Sequence, residues 1–295
     1  MKYIVNNQQA KMIDSLTIRR TGIPSLVLME RASLSVAERI EAVICGRPEL
    51  KNRMITAVCG SGNNGGDGVC VARILHNRGY KVQVYLAGNR DKMTEDLKTQ
   101  IRIAENLSLP FVKEITLDTG IIIDALFGVG LTRDVEGLMK DKIREINAAA
   151  GRGCMVVSVD LPSGINGDNG RVMGLCVKAD ETVTFGYIKL GIALYPGRSY
   201  AGHVSCPEIG FDESALSEFD HFYLAYEDCD IREMLPRRLP YGHKGSFGHV
   251  LIAAGSKNMA GAAALAAKAA YKSGCGLVTI LTPECNRVII QSLVP

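Results

Sequence analysis

With 295 residues the chain exceeds the usual single-domain length, so one large domain, or one domain plus part of another, is expected. Hydrophobic residues at 47% and charged residues at 22% exclude a disordered or fibrous chain. A net charge of +3, from 34 basic and 31 acidic residues spread evenly, is too small to make a nucleic-acid surface, and a small-molecule ligand is expected instead.

The opening Met1-Lys2-Tyr3-Ile4-Val5-Asn6-Asn7-Gln8 turns polar before a hydrophobic region of signal-peptide length forms. No apolar run reaches bilayer-spanning length, so no membrane partner is expected. Nine cysteines, at 45, 59, 70, 154, 176, 206, 229, 275 and 285, include no C-x-x-C pair. That pattern reads as buried, reduced thiols in a cytoplasmic protein rather than as a disulfide or zinc framework.

Residues 8–20 and 23–46 read as two helices separated by Gly22-Ile23-Pro24, the second with apolar positions Leu26, Met29, Val36, Ile40, Val43 and Ile44 at three- and four-residue steps. This apolar helix pair offers a face for a homodimer. Short apolar strands then alternate with helices: strand 54–59, a glycine-rich turn, helix 67–78, strand 82–86, helix 94–106, strand 121–126, helix 135–150 and strand 155–159. Continuous apolar strands of this kind are buried on both faces. The fold class is therefore α/β, a Rossmann-like three-layer α/β/α sandwich with a mostly parallel sheet. Strands at 182–185 and 203–206 close the first domain, 1–215. A linker, 216–246, holds Leu235-Pro236-Arg237-Arg238-Leu239-Pro240. Strand 249–254, helix 260–273 and strand 277–281 make one βαβ unit in 247–295, too small to bury a core by itself.

The most informative stretch is Gly60-Ser61-Gly62-Asn63-Asn64-Gly65-Gly66-Asp67-Gly68, between a strand and a helix. Glycines let backbone N–H groups approach a ligand, and a helix start offers free N–H donors with a positive dipole end, a combination that favours phosphate. Positions 60, 62 and 65 also satisfy G-x-G-x-x-G, the mark of a redox dehydrogenase. That reading wants an acid at the end of the next strand, where Ala87-Gly88-Asn89-Arg90 stands before Asp91. Two asparagines and an aspartate are more side-chain oxygen than a phosphate site needs, which suggests a cation or a polar ring as well. The bland alternative is a glycine turn that serves only tight strand–helix packing.

Asp124 ends one strand before Ala125-Leu126-Phe127-Gly128-Val129-Gly130-Leu131-Thr132-Arg133-Asp134, and Asp160 ends another before Leu161-Pro162-Ser163-Gly164. An aspartate there is often a turn former or cap. Ligands of an open parallel sheet bind beyond the carboxyl ends of its strands, however, so the three loops are expected to meet around one crevice.

These residues resemble the NAD(P)H-hydrate epimerases, the YjeF N-terminal family. The matching pieces run in order over about 1–211: Leu28-Met29-Glu30-Arg31-Ala32, Gly62-Asn63-Asn64-Gly65-Gly66-Asp67-Gly68, Asp124-Ala125-Leu126-Phe127-Gly128, Asp160-Leu161-Pro162-Ser163-Gly164, and Ala179-Asp180-Glu181-Thr182-Val183-Thr184-Phe185-Gly186 with Lys189-Leu190-Gly191. Ser33 departs from the glycine or alanine expected. The resemblance implies epimerisation of the R and S forms of hydrated NADH and NADPH, cofactors damaged by a hydroxyl at C6 of the nicotinamide. It implies that Asn63, Asn64, Gly65, Gly66 and Asp67, with Gly128, Val129, Gly130, Leu131, Thr132, Arg133 and Asp134, hold this substrate. Asn64, Asp124 and Ser163 would ligate one potassium ion, and Asp160 would face the hydrated ring. A C6 hydroxyl beside the ring nitrogen is a hemiaminal, so one carboxyl group that gives and takes a proton suffices: Asp160, with Asp67 the second candidate. Lys189 is either a charge for a phosphate or a solvated surface lysine.

The tail, with His243-Lys244-Gly245-Ser246-Phe247-Gly248, Gly255-Ser256-Lys257-Asn258-Met259-Ala260-Gly261-Ala262-Ala263 and Ser273-Gly274-Cys275-Gly276-Leu277-Val278-Thr279, resembles the opening of the ribokinase-like NAD(P)H-hydrate dehydratase domain, often fused after the epimerase. That domain's ADP or ATP and Mg2+ belong to a Gly-x-Gly-Asp motif absent here, and after Lys244 the one carboxylate is Glu284. A bifunctional repair enzyme whose second half is incomplete and a non-catalytic nucleotide- or lipoprotein-binding scaffold are the alternatives.

Overall fold

The computed structural model describes residues 1–88, 90–116, 118–235, 237–238 and 240–294. Asn89 of the expected post-strand turn, and Pro236 and Leu239 of the expected linker motif, lie outside them. The chain forms two compact units, Met1–Glu227 and Asp228–Pro295.

The first unit runs β1 (Lys2–Val5), α1 (Asn7–Thr21), α2 (Ser25–Gly46), β2 (Met54–Cys59), α3 (Asn63–Asn77), β3 (Val82–Leu86), α4 (Glu95–Asn106), β4 (Phe111–Val112), β5 (Thr119–Ala125), α5 (Gly137–Gly151), β6 (Met155–Val159), β7 (Glu181–Val183), β8 (Ile188–Lys189), α6 (Leu190–Ala193), β9 (His203–Ser205) and β10 (Tyr223–Ala225). Seven strands form one parallel sheet in the order β4-β3-β2-β5-β6-β7-β9. From β2 the chain builds outward one way through β3 and β4, then returns to lay β5 on the other side and builds outward again. The strand order thus reverses between β2 and β5, which is where an open α/β sheet leaves a crevice.

Side-chain alternation fills both faces of this sheet. Ile55, Ala57, Ile121, Ile123, Val157 and Val159 pack with Val36, Ile40, Val71, Leu75 and Leu97 from α2, α3 and α4. Val58, Ile122 and Val156 pack on the other face with Ile143 and Ile146 of α5. The expected three-layer sandwich is the fold observed.

Two features differ from the sequence reading. Helix α3 starts at Asn63, capped by Gly62, rather than at 67, so the Asn-Asn-Gly-Gly-Asp stretch is the first turn of a helix and not a loop. Residues 216–227, read as linker, belong to the first unit because β10 pairs antiparallel with β1, which pairs on its other side in parallel with β8. Gln9 Nε2 donates to the His221 carbonyl at 2.8 Å, and Arg20 pairs with Glu218, tying the same stretch to α1.

The second unit holds α7 (Asp228–Met234), β11 (His249–Ala253), α8 (Gly261–Lys272), β12 (Leu277–Leu281) and α9 (Arg287–Leu293). Helix α7 occupies part of the expected linker. Strands β11 and β12 pair in parallel around the α8 crossover, as the βαβ reading expects, over a small cluster of Ala260, Ala263 and Ile290. All nine cysteines are free; Cys59, Cys70, Cys154 and Cys176 are buried as expected, whereas Cys45, Cys229 and Cys285 are exposed. Among the described residues no helix is long and apolar enough to cross a membrane.

Candidate active site

The glycines after β2 bring α3 against the carboxyl ends of the strands. A Cβ on Gly60 would run into the Leu126 carbonyl, one on Gly65 into the Gly60 carbonyl, and one on Gly68 into Ala125 and Cys59. Close packing therefore accounts for these three positions, as the bland reading held. Gly62 is different: nothing lies within 4 Å of where its Cβ would be, and it lines an open cavity beside the start of α3.

That cavity, about 630 Å³, lies at the switch point and has the size of a small-molecule site. Ser61 and Gly62 with Asn63, Asn64 and Asp67 of α3, Leu126 to Leu131 after β5, and Asp160 after β6 all line it, so the three strand-end turns meet as expected. Of the residues expected to hold the substrate, Gly65 and Gly66 are buried behind this wall, and Thr132, Arg133 and Asp134 stand outside it. Other walls come from Lys11 and Asp14 of α1, Leu28 and Met29 of α2, Asp96 of α4, Lys189 of β8, and Ile209 and Phe211 near the unit's end; of these the sequence offered only Lys189 as a candidate for the substrate.

Asp160 sits in a strained place. Its φ is +66°, in the left-handed region, and the Leu161 N–H donates to the Val159 carbonyl across it at 2.8 Å, closing a three-residue turn. Its own N–H donates to the Val183 carbonyl at 2.8 Å, pinning the turn to β7. The side chain is equally held: Oδ1 accepts from Thr184 Oγ1 at 3.1 Å and lies 2.6 Å from Lys189 Nζ. Lys189, read as a surface or phosphate-binding lysine, is instead 4% exposed, its Nζ also donating to the Phe185 carbonyl at 3.0 Å. A lysine so buried requires a counter-charge, and Asp160 is it.

Three more carboxyl groups face the cavity. Burial pushes Asp67 well above the usual carboxylate range; the charges of Asp160 and Asp14 add to this, Lys189 opposes it and Asp96 adds a little more. Asp14 is raised as well, by burial and then by Asp96, against the pull of Lys189.

Beneath the cavity floor Asp124 is fully buried. Its Oδ2 accepts from Ser158 Oγ at 2.7 Å and from the Ser163 N–H at 2.8 Å, while Oδ1 has no hydrogen-bond partner among the described residues. Burial raises this carboxyl despite the bonds from Ser163 and Ser158. Ser163 Oγ accepts from the Phe127 N–H at 2.9 Å, and Asn64 lies against Gly128, whose Cβ would be 3.3 Å from Asn64 Oδ1. Asn64 Nδ2 is also buried and has no hydrogen-bond partner among the described residues. Asn64, Asp124 and Ser163 thus stand around the same 126–128 turn.

Comparison with known proteins agrees with this anatomy. The family model for the YjeF-related protein N-terminus matches residues 25–191, and that for NAD(P)H-hydrate dehydratase matches 250–295. The chain is 43% identical over 214 residues to an NAD(P)H-hydrate epimerase of Oenococcus oeni, covering 71% of this chain and 97% of that protein. It is 39% identical over 295 residues to the bifunctional NAD(P)H-hydrate repair enzyme Nnr of Moorella thermoacetica, covering 96% of this chain and 54% of that protein. The chain therefore spans about half the length of that bifunctional relative. The crystal structure of yeast ynu0, YNL200c, superposes with a TM-score of 0.62 at 24% identity, covering 77% of this chain and 97% of that one, a likeness of fold. With the switch-point cavity, the ordered motifs and these matches together, the chain belongs to the family of the YjeF-related protein N-terminus, whose relatives here include NAD(P)H-hydrate epimerases.

Proposed function

We propose that the Met1–Glu227 unit interconverts the R and S forms of hydrated NADH and NADPH. The observation that carries this reading is Asp160, held by Lys189 and Thr184 on the wall of the switch-point cavity beside the start of α3. The substrate's C6 hydroxyl is a hemiaminal: protonated, it leaves as water while the ring nitrogen's lone pair stabilises the cation, and return of water to the other face inverts the centre. Carboxyl groups in a partly desolvated cavity suit that proton traffic. The scaffold alternative has no use for a strained, lysine-paired aspartate in such a place.

Asn63, Asn64 and Asp67 of α3 and Gly128 to Leu131 are assigned to the substrate, with the helix start favouring its phosphates. Gly65 and Gly66 shape the backbone behind them, and Thr132, Arg133 and Asp134 complete the loop. The oxygens beneath the floor fit a potassium ion: carboxylate, amide and hydroxyl are hard donors, and buried Asp124 Oδ1 lacks a partner. Held by Asn64, Asp124 and Ser163, that ion would supply positive charge at the 126–128 turn. The dehydratase step, with ADP or ATP and Mg2+, is not assigned to these residues: after Lys244 the one carboxylate is Glu284, exposed and paired with Arg287 at 3.2 Å.

The test is chromatography of separated R and S hydrates incubated with the chain, in potassium and in a potassium-free buffer. Either pure epimer should relax to the mixed equilibrium much faster than in buffer alone, and more slowly when potassium is withheld. Epimer ratios unchanged by the protein would refute the reading.

A further inference from the structure

Granted the epimerase reading of this cavity, each turnover needs one proton given and another taken. Asp160 is poorly placed to start as the donor. Its Oδ1 carries both the Lys189 ion pair at 2.6 Å and the Thr184 hydrogen bond at 3.1 Å, and both partners are buried. A proton on Asp160 would leave a buried ammonium without its counter-charge, which a desolvated wall makes costly. Asp160 therefore rests as a carboxylate, with Oδ2 free of hydrogen-bond partners among the described residues.

Asp67 reaches the same cavity from α3, and no cation is paired with it among the described residues. The charged groups facing it from the surrounding elements are mostly acids: Asp14 from α1, Asp96 from α4 and Asp160 after β6. Lys189 of β8 is bound to Asp160, and Lys11 of α1 is exposed at the cavity edge. Burial among like charges keeps a carboxyl group protonated, whereas a fixed ammonium keeps one ionised, and two such environments side by side separate an acid from a base.

We propose that the two carboxyl groups divide the reaction: Asp67 gives the proton that makes the C6 hydroxyl a leaving water, and Asp160, positioned by Lys189 and Thr184, takes one from the water that adds back. In the first step the C6–O bond breaks with its electron pair on the departing water, the ring nitrogen's lone pair forms the C6=N bond, and Asp67 is left as a carboxylate. In the second, a water oxygen bonds C6 from the other face, the C=N pair returns to nitrogen, and the surplus proton passes to Asp160. Transfer of that proton from Asp160 to Asp67 through cavity water resets the pair, and nothing is oxidised or reduced.

The experiment measures epimerisation rates of the whole chain against pH for the wild type and for D67N, D67E, D160N, K189M, K189R and T184V, with substrate affinity measured separately by equilibrium binding. The wild type should lose activity at high pH as Asp67 gives up its proton. D67N should lose about 100-fold or more in kcat, beyond any loss of affinity, and lose the high-pH limb, while D67E restores part of the rate. D160N should lose about 100-fold or more in kcat and keep the high-pH limb. K189M should lower kcat because Asp160 is no longer held in place, T184V should lower it by less, and K189R should restore part of the rate, all three keeping the high-pH limb. D67N turning over at the wild-type rate or keeping the high-pH limb, or K189M turning over at the wild-type rate, overturns the division while the epimerase reading stands. A wild-type chain that leaves both epimers unchanged overturns both.

Discussion

At Asp160 a left-handed backbone, which glycine adopts freely, is occupied by an aspartate whose side chain is committed to a buried lysine. Two effects compete in D160G. Relief of the unfavourable φ favours the folded state by about 1 kcal/mol, whereas the unpaired Lys189 ammonium costs about 3–5 kcal/mol. The ion pair wins, so D160G should lose about 2–4 kcal/mol in urea unfolding, and the double variant D160G/K189M should regain most of it. Asp67 gives a prediction of opposite sense. Its carboxyl, like that of Asp14, is raised in the folded chain, so the native state binds more protons than the unfolded state between the ordinary carboxylate value and the raised one. Stability is then greatest below the ordinary value and falls as pH rises through the raised values. D67N should flatten that fall and stabilise the chain at neutral pH, as thermal unfolding at several pH values would show. A residue that destabilises its own fold at working pH is common at active sites.

Helix α3 shows how packing and chemistry share one stretch of sequence. Gly65 cannot carry a methyl group without striking the Gly60 carbonyl, whereas Gly62 has open space around the same position. G65A should therefore cost about 1–3 kcal/mol and G62A about 0.5–1 kcal/mol, since there alanine is only a poorer helix cap than glycine. Substrate binding should reverse the order, with the correctly folded G62A the weaker binder because its methyl enters the cavity; calorimetry on both variants separates the two effects. The start of this helix was misread for a related reason. Asn-Asn-Gly-Gly-Asp has the local preferences of a turn, and only the close approach to β2 and β5 makes glycine right for a helix there. Long apolar strands were legible to the residue, as at Met54–Cys59, Val82–Leu86 and Met155–Val159, because burial on both faces leaves a continuous signal. The two- to four-residue strands β1, β4, β8 and β10 were not, since so few residues carry no period.

For the whole molecule, the cavity floor could be read in advance, because strand ends in an open parallel sheet must point to one edge. Its walls could not. Amphipathic spacing says which face of α1 or α4 is buried but not what that face looks upon, so Asp14 and Asp96 passed as ordinary helix residues. Lys189 carried no local mark of burial; the pairing of β8 with β1 places it. The same three-stranded sheet, β10-β1-β8, moves the unit's end to Glu227. A chain cut after Glu227 should melt cooperatively and retain epimerisation, whereas one cut after Ala215 should lose β10 and the contacts of His221 and Glu218, and melt at lower temperature. Strand β1 lies in the middle of that small sheet, with Val5 in register with Lys189 itself. Strand β1 is therefore also a brace for the lysine that pairs with Asp160. Substitutions that unsettle β1, such as V5D, should slow epimerisation through a displaced Lys189 before they lower the melting temperature.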